Sequence, residues 1–218
     1  MSSRDAVLSR IRAALAADAS APPPIPRDYI RVGDNPPGSP PVLELMVDRL
    51  VDYKAQVREV TPDELADAID AALGATGSVV IARDLDRGLA DAAARSGRTV
   101  TIDGEPDVLT PAELDRIDAV VTTATVAIAL SGTITLDGGP GQGRRAITLV
   151  PDFHLVVLYA DQIVQTVPEA IDRLEPVRPL TMIAGPSATS DIELERVEGV
   201  HGPRTLYVLI VRGPAAMS

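Results

Sequence analysis

From residue 42 onward, apolar positions follow two alternating rhythms: one residue in every three or four, then short unbroken aliphatic runs. The first marks helices with a single buried stripe, the second strands buried on both faces. Val42, Leu45, Met46, Leu50, Tyr53 and Val57 keep helical spacing and predict a helix over 42–58. Thr61-Pro62-Asp63-Glu64 is a capping box with proline at the first helical position, opening a helix that reaches Leu73. Ser78-Val79-Val80-Ile81-Ala82 reads as a buried strand, 84–96 as a helix stopped by Gly97, and 99–102 as the next strand. Thr110-Pro111-Ala112-Glu113 repeats the capping device before a short helix, and 118–122 is a further strand.

The second half changes character. Residues 132–136, 146–150 and 155–159 are β-rich runs with no room for helices between them, and 137–145 reads as a flexible hairpin loop. A helix over 167–174 and strands over 181–184 and 205–211 follow. Strands alternating with helices predict an α/β fold: a Rossmann-like mixed, mostly parallel sheet with helices on both faces and a hairpin or meander inserted late.

Ahead of this pattern, residues 3–17 predict a helix with Ser3 as N-cap and a narrow stripe of Val7, Leu8, Ile11 and Leu15. It suits docking on the domain or on a neighbouring subunit, whereas Asp5 and Asp18 argue against a targeting helix. Eight prolines between 22 and 41 predict an extended tether. The expected organisation is a helix and tether over 1–41 and an α/β domain over 42–218.

Composition narrows the chemistry. Apolar residues make up 45% of the chain and aromatics 2%, so the core must be packed from aliphatic side chains. The net charge of −11 repels phosphate backbones, which argues against nucleic acid and requires any anionic ligand to find a local basic or amide-lined pocket. The absence of cysteine excludes disulfides, thiolate catalysis, cysteine-ligated zinc and iron–sulfur clusters held by this chain. No run reaches transmembrane length and no signal-peptide core is visible, so a soluble cytoplasmic protein without membrane insertion is expected.

Three loop clusters could carry chemistry. Ser131-Gly132-Thr133 is the first. The second, 137–145, is rich in glycine but lacks the lysine of a Walker loop and opens no helix, so neither phosphate-loop pattern applies. Its Arg144 and Arg145 could close on a carboxylate or phosphate, or the loop could be a solvated turn. In the third, Gly185 and Pro186 turn the chain, and Ser187, Thr189 and Ser190 offer hydroxyls to an anion. A helix cap by Ser187 or Asp191 would explain the same residue types.

Two histidines complete the candidates. Asp152 and His154 share one face of a strand start, suited to acid–imidazole chemistry or to a structural hydrogen bond. His201 sits in the tight turn Gly199-Val200-His201-Gly202-Pro203, and histidines in such loops serve sites more often than core histidines do, though a structural role in the turn stands beside that reading. With no third ligand nearby in sequence, no metal site is expected.

These same residues resemble a known family. The run 124–134 resembles the Ala-x-x-Gly-Ile-Ala-Glu-Thr-Gly-Thr signature of the LUD domain family, in its lactate utilization protein C branch. Arg144-Arg145, then Leu149-Val150-Pro151 and His154, is similar to the next block. Gly185-Pro186-Ser187, Thr189 and Asp191-Ile192-Glu193, then Gly199, His201, Gly202 and Pro203, is similar to the C-terminal signature. Departures fall in the first block, where Ala127, Leu130 and Ser131 replace Gly, Glu and Thr.

The resemblance implies a fold like the sugar-isomerase and CoA-transferase superfamily. It also implies a part in oxidising L-lactate to pyruvate beside partner subunits, one of them an iron–sulfur protein. On that reading the chain binds no cofactor itself. His201, Ser187 and Asp191 are then the catalytic candidates. The ligand-binding candidates are Ser131, Gly132, Thr133, Arg144, Arg145, His154, Gly185, Pro186, Thr189 and Gly202. Two alternatives stand beside it: a stand-alone enzyme on anionic small molecules, CoA-transferase-like or folate-cyclo-ligase-like, and an assembly scaffold using the N-terminal helix.

Overall fold

The computed structural model describes residues 2–17, 24–186, 188–189, 197–198 and 202–213. The chain divides into two units, Met1–Ile30 and Arg31–Ser218. In the first, helix α1 (Ser3–Ala17) occupies the expected span. Its cap is Ser2 rather than Ser3: the Ser2 hydroxyl accepts the Asp5 N–H, and the Asp5 carboxylate accepts the Ser2 N–H. Val7, Ile11 and Leu15 are exposed on α1.

The second unit opens with α2 (Pro40–Asp52), which buries Val42, Leu43, Met46 and Leu50 along one stripe. The expected continuation to residue 58 does not occur. Lys54 takes a left-handed φ of 69°, Ala55 N–H donates to Leu50 O and Lys54 N–H to Val51 O, the two bonds of a Schellman stop. A lysine rather than a glycine at that position hides the stop from a sequence reading. Residues Gln56–Val60 then form strand β1.

The following elements are a 3-10 turn (Pro62–Glu64) running into α3 (Leu65–Leu73), β2 (Ser78–Ala82), α4 (Arg87–Ala93), β3 (Thr99–Asp103), α5 (Pro111–Leu114) and β4 (Ala119–Thr123). Both expected capping devices form, with the Glu64 carboxylate accepting Thr61 N–H and that of Glu113 accepting Thr110 N–H. Helix α4 is shorter than expected because Asp86 caps it, accepting the Gly88 and Leu89 N–H groups. The second half holds β5 (Val126–Ile128), β6 (Thr133–Leu136), β7 (Phe153–Tyr159), β8 (Ile163–Val164), α6 (Val167–Ile171), β9 (Thr181–Ile183), β10 (Ala188–Thr189), β11 (Val197–Glu198) and β12 (Thr205–Val211).

The fold is α/β, and its mixed character is partitioned between sheets. A six-stranded sheet runs β1-β12-β7-β4-β2-β3 with every neighbouring pair parallel. A four-stranded sheet, β8-β5-β6-β9, contains two antiparallel pairs, and its hairpin joins β5 to β6 through residues 129–132 rather than using the loop 137–145 as expected. β10 and β11 pair antiparallel by themselves.

Alternation along the central strands assigns the layers. Leu155 and Val157 of β7 pack with α3 and α4 on one face. Val156 and Leu158 pack with α2 and the smaller sheet on the other. Helices therefore cover both faces, and α6 covers the smaller sheet through Ala170 against Val126, Ile128 and Val164. Fully burying one such aliphatic side chain contributes roughly 1.5–3 kcal/mol.

The strand expected over 146–150 is a 3-10 turn, Arg145–Thr148. Its Ile147 is completely buried against Val80, Ala82, Leu114 and Val120. A short apolar run satisfies a buried turn as well as a strand, and periodicity alone does not separate them.

Candidate functional site

The parallel sheet has two ends, and each holds a hollow. At the carboxyl end the chain leaves β2 for the edge strand β3 but leaves β4 in the opposite direction, toward β7. Such a reversal opens a crevice beyond the strand ends. A cavity of about 450 Å³ lies there, lined among others by Asp84, Asp86, Thr123, Asp137, Tyr159 and Arg178.

This hollow is acidic and internally satisfied. Asp84 accepts Gly141 N–H at 3.0 Å, and Asp137, nearly buried, accepts the Thr125 hydroxyl at 2.6 Å and Gly139 N–H at 3.0 Å. Arg178 lies 3.3 Å from the second Asp137 oxygen. Gln142 ties the loop down by accepting Asp137 N–H and donating to Thr125. Burial raises the Tyr159 hydroxyl above its ordinary pKa, assisted by the Asp86 and Asp161 charges.

The loop expected to be a flexible flap is thus knitted to the strand ends. Gly141 makes this fit: its φ is 73°, and a Cβ there would lie 2.9 Å from the Thr123 hydroxyl oxygen.

The second hollow lies at the amino ends of β7 and β12, beside β9. It measures about 280 Å³ and is lined by Arg145, Thr148, His154, the Gly185-Pro186 and Gly202-Pro203 turns, and apolar side chains that include Leu149, Met182 and Leu206. Of the sequence-derived candidates, Arg145, His154, Gly185, Pro186 and Gly202 come together here. The 3-10 turn delivers Arg145, and Thr148 steadies that turn by donating to Arg145 O. The Arg145 guanidinium is exposed and makes no ion pair among the described residues.

His154 is 1% exposed. Its Nε2 lies 2.8 Å from the Thr122 hydroxyl, on the face turned toward the smaller sheet. Burial depresses its pKa to about 3, so the ring is neutral at physiological pH. No acid–imidazole pair joins Asp152 to His154: the ring is buried against Thr122, whereas the exposed Asp152 carboxylate lies 3.4 Å from Arg204.

Other candidates lie elsewhere. Arg144 is held in a two-pronged pair by Asp103, at 2.6 and 3.0 Å, and also donates to Leu109 O. Burial opposes ionisation of Asp103, but the Arg144 and Leu109 hydrogen bonds outweigh it and hold the carboxyl below its ordinary pKa. Arg144 therefore anchors the loop after β3 with its charge already neutralised.

Ser131 and Thr133 bond to each other at 2.9 Å in the β5–β6 hairpin. Ser131 faces a different depression, beside Arg49, Asp52, Tyr53 and Leu130. Gly132 is needed there, since a Cβ would lie 2.8 Å from that of Arg49. Thr189 belongs to β10, whereas Ser187, Asp191 and His201 lie outside the described residues. Among the described residues no His, Asp or Glu cluster suits a metal ion, and no helix is long and apolar enough to cross a membrane.

The sequence reading singled out the loop 137–145 that lines the carboxyl-end hollow but missed its other walls, although Asp84 lies two residues after β2 and Thr123-Ala124-Thr125 spans the end of β4. Position after a buried parallel strand is the signal that could have found them.

Comparison with known proteins places these features. The model of the LUD domain matches residues 43–211. A lactate utilization protein C from Deinococcus radiodurans is 47% identical over 174 residues, covering 78% of this chain and 79% of that protein. Another protein of that name from an Exiguobacterium species is 34% identical over 104 residues, 44% of this chain and 45% of its own. A crystal structure of a DUF162 family protein from Deinococcus radiodurans superposes with a TM-score of 0.66 at 40% identity, covering 78% of this chain and 96% of that one.

Proposed function

Because the chain belongs to the LUD domain family, we propose that it serves in lactate utilization as the subunit that handles the small acid rather than the electrons. Relatives named for that process support the reading. The chain contributes to oxidation of L-lactate to pyruvate without a redox centre of its own. With no cysteine it offers no thiolate to an iron–sulfur cluster, so the cluster-bearing partner is a separate chain.

The observation that carries the reading is the hollow at the amino ends of β7 and β12. Segments matching the family signature meet there around an arginine with no carboxylate partner among the described residues. At about 280 Å³ it lies at the small end of the usual range of about 300–1,000 Å³ for ligand sites. That size accommodates a three-carbon acid.

Deleting the chain from its host should abolish growth on L-lactate while growth on pyruvate continues. Unimpaired growth on L-lactate would reject the role.

A further inference from the structure

We propose that the hollow between β7, β12 and β9 is a recognition site for small monocarboxylates bearing an oxygen on the adjacent carbon, with Arg145 taking the carboxylate and the Nδ1–H of His154 donating to the neighbouring oxygen. The proposal deepens the lactate-utilization reading by naming the chemistry of its site.

Arg145 supplies a two-pronged donor suited to a planar carboxylate, and no described acid competes for it. In a chain of net charge −11, an arginine that lines a cavity and pairs with no acid among the described residues is the local exception an anion needs.

The imidazole contribution follows from hydrogen-bond accounting. Thr122 is fully buried, and its hydroxyl faces Nε2 of His154 at 2.8 Å, the one side-chain hydrogen bond it makes among the described residues. A buried hydroxyl places its hydrogen on an acceptor. The consistent arrangement has Thr122 donating to Nε2, which puts the ring hydrogen on Nδ1. That nitrogen has no partner among the described residues, and His154 lines the cavity.

Because burial keeps the ring neutral, Nδ1 remains a hydrogen-bond donor without bringing a second charge. Leu149, Met182 and Leu206 supply an apolar wall for the methyl group of a three-carbon acid. No covalent step is involved. Arg145 and His154 touch the ligand, and Thr122 is a positioning residue that sets the tautomer.

Calorimetric titration of the full chain with pyruvate, L-lactate and acetate tests this, using the wild type, Arg145→Gln and Thr122→Val. Valine keeps the β-branched shape of the buried strand position. Arg145→Gln should weaken all three acids by tenfold or more. Thr122→Val should weaken pyruvate and lactate about threefold to tenfold while leaving acetate, which lacks the second oxygen, within about twofold.

The site is overturned if none of the acids binds at millimolar concentration, or if Arg145→Gln leaves their affinities unchanged. The histidine contribution is overturned if Thr122→Val shifts acetate as much as pyruvate, or shifts neither. If binding fails while the deletion strain still loses growth on L-lactate, the subunit role stands and this site falls. If the acids bind as expected but growth on L-lactate is normal, the reverse holds.

Discussion

The two ends of strand β7 solve opposite problems. Tyr159, at the carboxyl end, borders a hollow whose three aspartates are already occupied by backbone amides, a threonine and Arg178. His154, near the amino end, borders a smaller hollow whose arginine side chain and second ring nitrogen have no partners among the described residues. Position alone favours the carboxyl end, where ligands of open α/β sheets usually bind. Charge and hydrogen-bond accounting favour the amino end for a carboxylate. A satisfied network holds a loop in place, whereas an unsatisfied one is available to a ligand.

The contrast can be tested from either side, and the largest effect concerns protons. Below pH 6.5 the unfolded chain protonates at residue 154, whereas the folded ring resists protonation until about pH 3. The unfolded state then binds more protons, so stability falls as pH drops, by about 1.4 kcal/mol per unit and roughly 4–5 kcal/mol across the window. Denaturant titrations at several pH values should show that slope flattened by about 1.4 kcal/mol per unit in His154→Gln. An equal slope in both chains would mean that the ring is not held neutral by burial.

At the other end, Asp137→Ala strands the Thr125 hydroxyl, Gly139 N–H and Arg178. It should cost about 3 kcal/mol in urea unfolding while leaving pyruvate affinity within about twofold. Arg145→Gln should do the converse, weakening pyruvate at least tenfold with a change in unfolding free energy under about 0.5 kcal/mol. The smallest effect belongs to Asp86→Ala, which removes the α4 cap and should cost about 1 kcal/mol in the same unfolding measurement. Any of these acting on the wrong end would dissolve the distinction.

Much of the framework was legible in the sequence because its determinants are local. β2 and β12 occupy their expected spans, and the Thr61 and Thr110 capping boxes form, since each depends on residues within one turn or one run. The misread segments depend on something further away or on an atypical residue. The stop at Lys54 uses a left-handed lysine. The turn at Ile147 exists because cluster partners from β2, β4 and α5 close around it.

The site divides along the same line. Of the residues that the resemblance singled out, Arg145, His154, Gly185, Pro186 and Gly202 line one hollow, whereas Ser131 borders another and Arg144 is paired with Asp103. The roles of the two adjacent arginines were not legible, because the carboxylate that claims Arg144 is Asp103, 41 residues earlier in the chain. Periodicity carries no information about a pairing at that separation. The same holds for Thr122 and His154, whose contact requires β4 and β7 to be neighbours in register.

A backbone amide shift map of the full chain titrated with pyruvate tests most directly which end takes the acid. The account predicts perturbations concentrated at Arg145, Thr148, His154, Gly185 and Gly202, with Asp84, Thr123, Gly141 and Tyr159 unmoved. Perturbations confined to the latter four would contradict it and return the ligand to the carboxyl end of the sheet.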